Sequence, residues 1–186
     1  MSDRQNSAAL ELIEATDMAP DIDHAIKKLL CECFTDDAAH FSRTRYWHGT
    51  APSYSLIYSQ DNQVLGHVGV VLRTVDAGGV QTDIAGIQNL AVSPQIRGSM
   101  VSWALMRRSM KEAKKNRSVP FGLLFCVPAL EELYAAMKWK RIDAVVTMRD
   151  EEGNTVGIPG KNIAMVLELA DRPFPEGNID LQGMDW

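Results

Sequence analysis

The period at which apolar residues recur changes along the chain, and each change marks the border of a predicted element. Ala8 to Ile13 alternates between apolar and polar residues, which predicts a first strand. After a turn with helix-start character at Asp17 to Pro20, apolar residues from Ile22 to Phe34 recur at helical spacing. Asp36 to His48 keeps neither period, so we expect an irregular segment with one further helical turn at most.

The next stretch predicts an antiparallel meander. Tyr54 to Tyr58, Val64 to Val75 and Val80 to Val92 alternate or are rich in β-branched residues, as strands are. Polar turns separate them at Ser59 to Gln63 and at Asp76 to Gly79. Consecutive strands joined by such short turns pair with their neighbours in one sheet.

A helix, a strand and a second helix are predicted after the meander. Ser99 to Arg117 has helical spacing, and Pro120 to Val127 is an apolar run of the kind found in buried strands. Pro128 suits the first position of a helix. The apolar face of that helix would consist of Leu130, Leu133, Tyr134 and Met137. The strands before and after the first helix would pair in parallel through a βαβ crossover.

The C-terminal part of the chain completes the sheet. Final strands are predicted at Ile142 to Met148 and Ile163 to Leu169, with a Gly-, Asp- and Glu-rich loop from Arg149 to Gly160 between them. From Asp171 onward the chain is rich in Pro, Gly and Asp, which predicts a tail that leaves the sheet. The order predicts one α/β (α+β) domain over residues 1–186, with a mixed central sheet of about seven strands and helices on both faces.

Composition and charge narrow the classes of partner. A length of 186 residues suffices for one domain with a real core, and 46% hydrophobic with 23% charged residues is ordinary for a globular protein. The net charge of −5 argues against nucleic acid as the main partner. Cations cluster locally, at Arg107, Arg108, Lys111, Lys114, Lys115 and Arg117. A helix dipole favours cations near its C-terminus, so a solvated face is the first interpretation and anion binding the lesser one.

The cysteines and the lack of long apolar stretches indicate the compartment. No stretch of the sequence reaches the roughly 18 apolar residues of a membrane span, and Met1 to Ser7 is polar, unlike a signal peptide. Cys31 and Cys33 are two positions apart on a predicted helix and point in different directions, which makes neither a zinc clamp nor a redox pair. With Cys126 the count is odd. We therefore expect reduced thiols, no metal site, no membrane partner and a cytoplasmic location.

The turn after the Val80 to Val92 strand has the composition of an anion site. Gln95 to Met100 leads into a helix N-terminus, whose free N–H groups and positive dipole bind anions without a special side chain. Gly98 lets the backbone approach a ligand closely, and Arg97 adds a charge-assisted contact. Ordinary strand-to-helix turns use the same residues, so the pattern alone leaves anion binding and a plain turn equally open.

Together with the order of elements, three short motifs resemble the GNAT superfamily of acyltransferases. The turn Gln95 to Met100 resembles that family's Gln/Arg-x-x-Gly-x-Gly/Ala cofactor turn, and NLAVSP before it is typical of the same family. LYAAMKW, from Leu133 to Trp139, resembles the family's Leu-Tyr-x-x-x-Gly-Phe/Trp segment. Two residues depart from the pattern, because Met100 replaces the last small residue of the turn and Lys138 replaces a glycine. The resemblance predicts the GNAT fold.

The resemblance also implies an acyl-CoA binder, with acetyl-CoA as the co-substrate. The pyrophosphate would lie on the backbone amides of Arg97, Gly98, Ser99, Met100 and Val101. Leu90 and Val92 would offer backbone groups to the pantetheine arm and to the thioester carbonyl. Met100 keeps its N–H group and methionine is flexible, so we predict a modified cradle with a narrower mouth.

Acyl transfer from a thioester to an amine needs a neutral amine, donors for the oxyanion and a proton for the leaving thiolate. By the resemblance, Tyr134 occupies the place of the general acid, and a buried aromatic of the helix face is the alternative. Gln88, on the apolar central strand, would order a water or the acceptor, or be a hydrogen-bonded sheet residue. His67, on the adjacent strand, would deprotonate the amine or serve as a structural histidine.

Two branches of the family share further segments with this chain. FTDDAAHF, GHVGVVLRTV and the final MDW resemble the aminoglycoside 2′-N-acetyltransferases, in which a C-terminal Asp and Trp fold back toward a cationic acceptor. That resemblance implies acceptor-binding roles for Asp37, Asp185 and Trp186, although Gln88 stands where that branch uses an acidic residue. The stretch from His67 to Val146 resembles the nodulation-type N-acyltransferases, which take long acyl chains from a carrier protein. The basic helix would suit an acidic carrier.

The sequence therefore predicts an N-acetyltransferase of the GNAT type. It would move an acetyl group from acetyl-CoA to a small primary amine by direct attack, with Tyr134 as the general acid. A long-chain N-acyltransferase with a carrier-protein donor and a non-catalytic acyl-CoA sensor stay open as alternatives. The tail from Asp171 to Trp186 either frays or folds back to the acceptor site. The pattern leaves the acceptor amine and the formation of a homodimer open.

Overall fold

A computed structural model describes residues 8–186, so the polar segment from Met1 to Ser7 lies outside the described residues. The first half of this range contains β1 (Ala8–Glu14), α1 (Pro20–Cys33), the short α2 (Ala38–Phe41), β2 (Tyr54–Gln60), β3 (Gln63–Ala77) and β4 (Val80–Val92). These bounds confirm the predicted first strand, helix and meander. Within residues 8–186, no helix combines the length and the apolar character needed to cross a membrane.

The second half contains α3 (Val101–Arg117), β5 (Phe121–Cys126), α4 (Glu131–Ala136), β6 (Lys140–Ile142), β7 (Val146–Arg149), β8 (Thr155–Gly157), β9 (Ile163–Glu168) and β10 (Ile179–Asp180). The single strand predicted from Ile142 to Met148 is wrong, because β6 pairs with β9 whereas β7 pairs with β10 and β8. Val145 lies between β6 and β7 and is 63% exposed, so its apolar side chain does not mark a buried strand. The segment predicted as a loop from Arg149 to Gly160 contains β8.

The ten strands of residues 8–186 form one sheet, against the seven or so that the pattern predicts. The order is β6-β9-β5-β4-β3-β10-β7-β8, with β2 on the first half of β3 and β1 on β2. Successive residues of a strand point to opposite faces. Accordingly Leu56 of β2 belongs to the buried cluster that includes α3, and Ile57 to the cluster that includes α1. Helices therefore cover both faces, as predicted.

β4 and β5 begin as parallel neighbours joined by the α3 crossover, and then separate. Their pairing joins Ile84, Ala85, Gly86 and Ile87 of β4 to Phe121, Gly122, Leu123 and Leu124 of β5, and goes no further. Asn89 of β4 has a left-handed backbone (φ +52°), and the register against β3 shifts between His67 and Gly69. Such a bulge bends a strand and disrupts its pairing. The sheet therefore opens between the C-terminal ends of β4 and β5.

The segment after β9 returns to the sheet. β10 lies between β3 and β7, antiparallel to β3 and parallel to β7. Ile179 and Leu181 are fully buried, and Arg149 of β7 donates two hydrogen bonds of 3.0 and 2.8 Å to the Asp180 carboxylate. The prediction of a tail that leaves the sheet is wrong, because the few apolar residues scattered among Pro, Gly and Asp bury against it.

Candidate active site

The opening between β4 and β5 leads into a cavity with a volume of about 610 Å³. Small-molecule sites have volumes of about 300–1,000 Å³, so this cavity is large enough for a substrate. Leu90 and Cys126 line it from the two separated strands, and Trp47 lines it from the loop before β2. A few polar side chains enter this largely apolar wall, which is the composition of a site that positions reacting groups.

The predicted phosphate turn lies at the N-terminus of α3 with its backbone open. Gly98 has φ +81°, and a Cβ atom there would meet no atom within 4 Å. Ser99 donates its N–H to the Ile96 carbonyl oxygen at 3.2 Å, whereas the N–H groups of Gly98 and Met100 have no partner among residues 8–186. Met100 is 67% exposed, so its side chain turns to solvent and does not fill the turn. Free donors ahead of a long helix suit an anion.

The other residues predicted for the cofactor differ in what they offer. Leu90 lines the cavity, and Val101 is buried at the first position of α3. The carbonyl oxygen of Val92 accepts a hydrogen bond from Cys33 Sγ at 3.4 Å. Burial raises the pKa of the Cys33 thiol, and the nearby Arg97 guanidinium opposes that rise. These contacts connect the turn to the C-terminal end of α1.

Tyr134 lies on α4, is 7% exposed and lines the cavity. Its ring packs near Trp139, with the ring centroids 6.5 Å apart. Among residues 8–186, its hydroxyl group has no hydrogen-bond partner. Burial, and after it the proximity of Cys126, raises the pKa of Tyr134 to about 12. The phenol therefore stays protonated near neutral pH and can donate to a ligand, even though its ring belongs to the core.

Gln88 lines the cavity and stabilises the bulge of β4 through hydrogen bonds. Its amide nitrogen donates to the Thr50 carbonyl oxygen at 2.9 Å, and its amide oxygen accepts from Asn89 Nδ2 at 3.3 Å. Asn89 Nδ2 also donates to the Arg45 carbonyl oxygen at 2.8 Å. These bonds fix the loop before β2 against β4. A direct contact of Gln88 with a water or an acceptor stays a prediction.

His67 lies outside the cavity, in the core. Its ring is fully buried, with Nδ1 3.0 Å from the Asn89 carbonyl oxygen and Nε2 3.2 Å from Ser55 Oγ. Because a carbonyl oxygen only accepts, Nδ1 donates and Nε2 accepts from the Ser55 hydroxyl. Burial lowers the pKa of His67 to about 4. The structure does not bring His67 together with the other predicted site residues.

The three residues predicted for the acceptor, Asp37, Asp185 and Trp186, line the same cavity. Asp37 is exposed in the turn before α2. Trp186 is buried, with its ring centroid 5.5 Å from that of Phe125 and 5.3 Å from Cζ of Arg73. The segment after β10 therefore forms part of the wall, and its contact with an acceptor stays a prediction.

His48, which the sequence pattern did not select, completes this side of the cavity. Its Nδ1 atom contacts a carboxylate oxygen of Asp185, and its ring lines the cavity. The two residues are 137 positions apart, and no periodicity connects them. The local signal is the sequence Trp47-His48-Gly49, where His48 (φ +43°) and Gly49 (φ +74°) both have left-handed backbones. In the sequence alone, Trp47-His48-Gly49 is typical of an ordinary turn.

One protein-family model matches most of the chain. The model of nodulation protein A (NodA) matches residues 14–170. Nodulation protein A of Bradyrhizobium sp. (strain ANU 289) is 32% identical over 156 residues, which cover 77% of this chain and 72% of that protein. Nodulation protein A of Bradyrhizobium elkanii is 32% identical over 96 residues, which cover 52% of this chain and 45% of that protein. The second match thus spans about half of each chain.

Solved structures share the fold. The GNAT family N-acetyltransferase YhbS from Escherichia coli, in complex with CoA, matches with a TM-score of 0.66 and 19% identity over 98% of this chain and 93% of that chain. A GNAT family acetyltransferase from Brucella melitensis, in complex with acetyl-CoA, matches with a TM-score of 0.58 and 16% identity over 92% and 94% of the two chains. At such identities the likeness shows the fold alone, and it confirms the predicted GNAT fold.

Proposed function

We propose that this chain, which belongs to the nodulation protein A family, is a GNAT-type N-acyltransferase. It would move an acyl group from a pantetheine thioester to a primary amine. The observation that carries the proposal is the unpartnered Tyr134 hydroxyl in the cavity between the separated strands β4 and β5. Nodulation protein A acylates the nitrogen of a chitooligosaccharide. An amino sugar is therefore the first acceptor to test, and the small amine with acetyl-CoA predicted from the sequence is the second.

The donor side of the cavity suits a thioester whose pantetheine arm ends in a phosphate. The free N–H groups of Gly98 and Met100 would hold the phosphate, and the dipole of α3 adds to their attraction. β5 has separated from β4 at the level of Leu90, so the main chain on that edge is free of β5 pairing and would contact the pantetheine arm. When bound, the thioester supplies an activated acyl carbon.

Tyr134 would serve the leaving sulfur of the donor. A thiol has an ordinary pKa of about 8.5, whereas burial raises the pKa of Tyr134 to about 12. Complete proton transfer from this phenol to a free thiolate is therefore unfavourable. Tyr134 instead stabilises the sulfur by a hydrogen bond while negative charge develops on it, which is the kind of interaction that lowers a barrier.

The outer surface of α3 favours a carrier protein as the donor. Met100, Trp103, Arg107, Lys111 and Lys114, which we call the α3 stripe, are exposed and recur along one side of the helix. Among residues 8–186, the three cations have no ion-pair partner. The stripe begins with apolar residues next to the phosphate turn and continues with unpaired cations. That arrangement suits an acidic carrier whose pantetheine arm enters at the turn.

Turnover tests the reaction. The wild type is assayed with acetyl-CoA, palmitoyl-CoA and a palmitoylated bacterial acyl carrier protein, each with a chito-oligosaccharide that bears a free amine and with a linear diamine. Tyr134→Phe should lower kcat by about 10²-fold or more, because the leaving sulfur loses its donor. Tyr58→Phe is the matched control, since the Tyr58 hydroxyl contacts Gln60 at 3.4 Å and lies outside the cavity. No turnover in the wild type with any donor and acceptor would contradict the proposal.

Binding of the donor tests the phosphate turn. Gly98→Trp should raise the Kd for CoA, because a large side chain at the open turn covers the free N–H groups. Gly153→Trp is the control, since Gly153 has a similar backbone (φ +85°) and equally open surroundings but lies in the loop after β7. An unchanged Kd in Gly98→Trp would place the donor elsewhere.

The two donor classes are separated by reversing charge on the α3 stripe. Lys111→Glu combined with Lys114→Glu should lower kcat/KM about tenfold or more for the acyl carrier protein while acyl-CoA stays within about twofold. Lys28→Glu, at an exposed position on α1, is the control for a charge reversal away from α3 and makes half of that change in net charge. An equal loss with both donors would contradict docking of a carrier on α3.

A further inference from the structure

His48 and Asp185 form a polar pair at the acceptor side of the cavity. Nδ1 of His48 contacts a carboxylate oxygen of Asp185, so Nδ1 carries a proton and donates it. In the neutral ring Nε2 is then an acceptor, and among residues 8–186 it has no partner. The ring lines the cavity and the His48 side chain is 44% exposed, so Nε2 is accessible to a substrate.

Neighbouring contacts hold the carboxylate of this pair in place. The carbonyl oxygen of Met184 accepts hydrogen bonds from Arg73 Nη1 at 2.5 Å and from Thr50 Oγ1 at 3.5 Å. On the other side of Asp185, the buried Trp186 ring packs 5.3 Å from Cζ of Arg73. Asp185 itself is 7% exposed. A carboxylate held in this way orients an imidazole, as in the triads of hydrolytic enzymes.

We propose that His48 is the general base of the acyl transfer and that Asp185 positions it. The inference rests on the proposed function, which leaves the base unassigned. His48 Nε2 takes one proton from the acceptor ammonium and passes it to solvent, and the neutral nitrogen then forms its bond to the acyl carbon. As the carbon–sulfur bond breaks, the leaving sulfur accepts a hydrogen bond from Tyr134, which keeps its proton. The surplus proton of the new amide nitrogen passes through solvent to the sulfur, which leaves as a thiol.

The other groups that face this part of the cavity do not fit the role. The charged and titratable side chains that line it with His48 are Asp37, Cys126, Tyr134, Lys161 and Asp185, and the charge of Asp185 acts on Arg73. An ammonium, and a thiol and a phenol whose pKa values burial raises, are acids near neutral pH. A carboxylate is a weaker base than an imidazole. Imidazole is therefore the best-matched base among them.

The pH dependence of kcat/KM distinguishes a catalytic role of His48 from a structural one. For an amino-sugar acceptor, kcat/KM of the wild type should fall on acidification more steeply than that of His48→Gln, because the acceptor amine gains a proton with both proteins and the imidazole only with the wild type. This additional fall is the acid limb that His48 contributes. His48→Gln should also lower kcat/KM by about 10²–10⁴-fold near pH 7, the usual contribution of a general base. His24→Gln is the matched control, because His24 is exposed on α1 and is not among the residues that line the cavity. Asp185→Asn should keep the limb and lower kcat/KM, because the imidazole loses its orientation.

A second acceptor excludes a purely structural role. Hydroxylamine is a weak base that arrives unprotonated, so the loss in His48→Gln should shrink for this acceptor, and added imidazole should restore part of the activity of His48→Ala. A loss of equal size for both acceptors, an unchanged acid limb or no rescue by imidazole would overturn the assignment while the acyl transfer itself stands. A wild type without turnover would overturn the proposed function together with this inference.

Discussion

His67 makes the unfolding free energy depend on pH in a way that its surroundings define. In the folded protein burial lowers its pKa to about 4, although the hydrogen bond to the Asn89 carbonyl oxygen opposes this shift. In the unfolded chain an exposed histidine has a pKa of about 6.5. Between these values the unfolded chain binds a proton that the folded protein does not. Stability therefore rises with pH in this window and is lost as the pH falls through it.

The two pKa values set the size of the effect. Acidification from about pH 7.5 to about pH 5 should reduce the unfolding free energy by ~2 kcal/mol through His67 alone, since near pH 5 the unfolded histidine is almost fully protonated and the folded one is not. Below the folded value the total loss approaches ~3 kcal/mol. The loss of ~2 kcal/mol at pH 5 is about two fifths of the unfolding free energy of a marginal domain, since domains typically have 5–15 kcal/mol.

Urea unfolding at several pH values measures this dependence. His67→Gln removes the titrating ring, so its unfolding free energy should fall by ~2 kcal/mol less than that of the wild type over the same range. The two proteins are compared by the slope of the unfolding free energy against pH. Any pH-independent cost of the substitution therefore cancels, and so do the contributions of the other histidines and of the carboxylates. Equal slopes in the two proteins would refute the account of His67 as a neutral core histidine.

Three further predictions concern the cavity wall and the turn. Trp186→Ala should lower the unfolding free energy by about 3–5 kcal/mol, as buried aromatic truncations do, and a thermal melt without a shift would contradict the packing. Gly86→Ala should displace the Trp186 indole, because a Cβ at Gly86 overlaps that ring, and an unchanged Trp fluorescence spectrum would argue against it. Met100→Gly should change the Kd for CoA by about twofold at most, because the exposed Met100 side chain does not narrow the turn and substitutions at the surface rarely change a free energy by more than ~0.5 kcal/mol. A markedly tighter complex in calorimetry would instead support the narrower cradle predicted from the sequence.

Local patterns predict much of the fold because they act over a few residues. The meander, both long helices and the phosphate turn follow from periodicity and turn residues, and LYAAMKW correctly indicates the GNAT fold. The errors arise where tertiary contacts decide. The spacing predicts Leu130 and Leu133 on the apolar face of a helix, yet each is 39% exposed, because this segment lies beside the cavity and buries Tyr134 instead.

The candidate site was predictable on the donor side and less so on the acceptor side. A strand, a turn with Gly98 and a helix are contiguous in sequence, so their geometry can be inferred from one stretch. His67 and His48 are both single histidines, one on a predicted apolar strand and one in an irregular segment, and neither position indicates which ring lines the cavity. Only the return of β10 to the sheet brings Asp185 to His48.

That long-range contact also bears on how the protein folds. The contact between His48 and Asp185 closes a loop of 137 residues, and the entropy of closing such a loop must be lost before the contact contributes anything. The meander, made of neighbours in sequence, can form much earlier. We therefore expect the pair to be among the last contacts made during refolding, so that secondary structure would recover first and enzymatic activity would lag behind it.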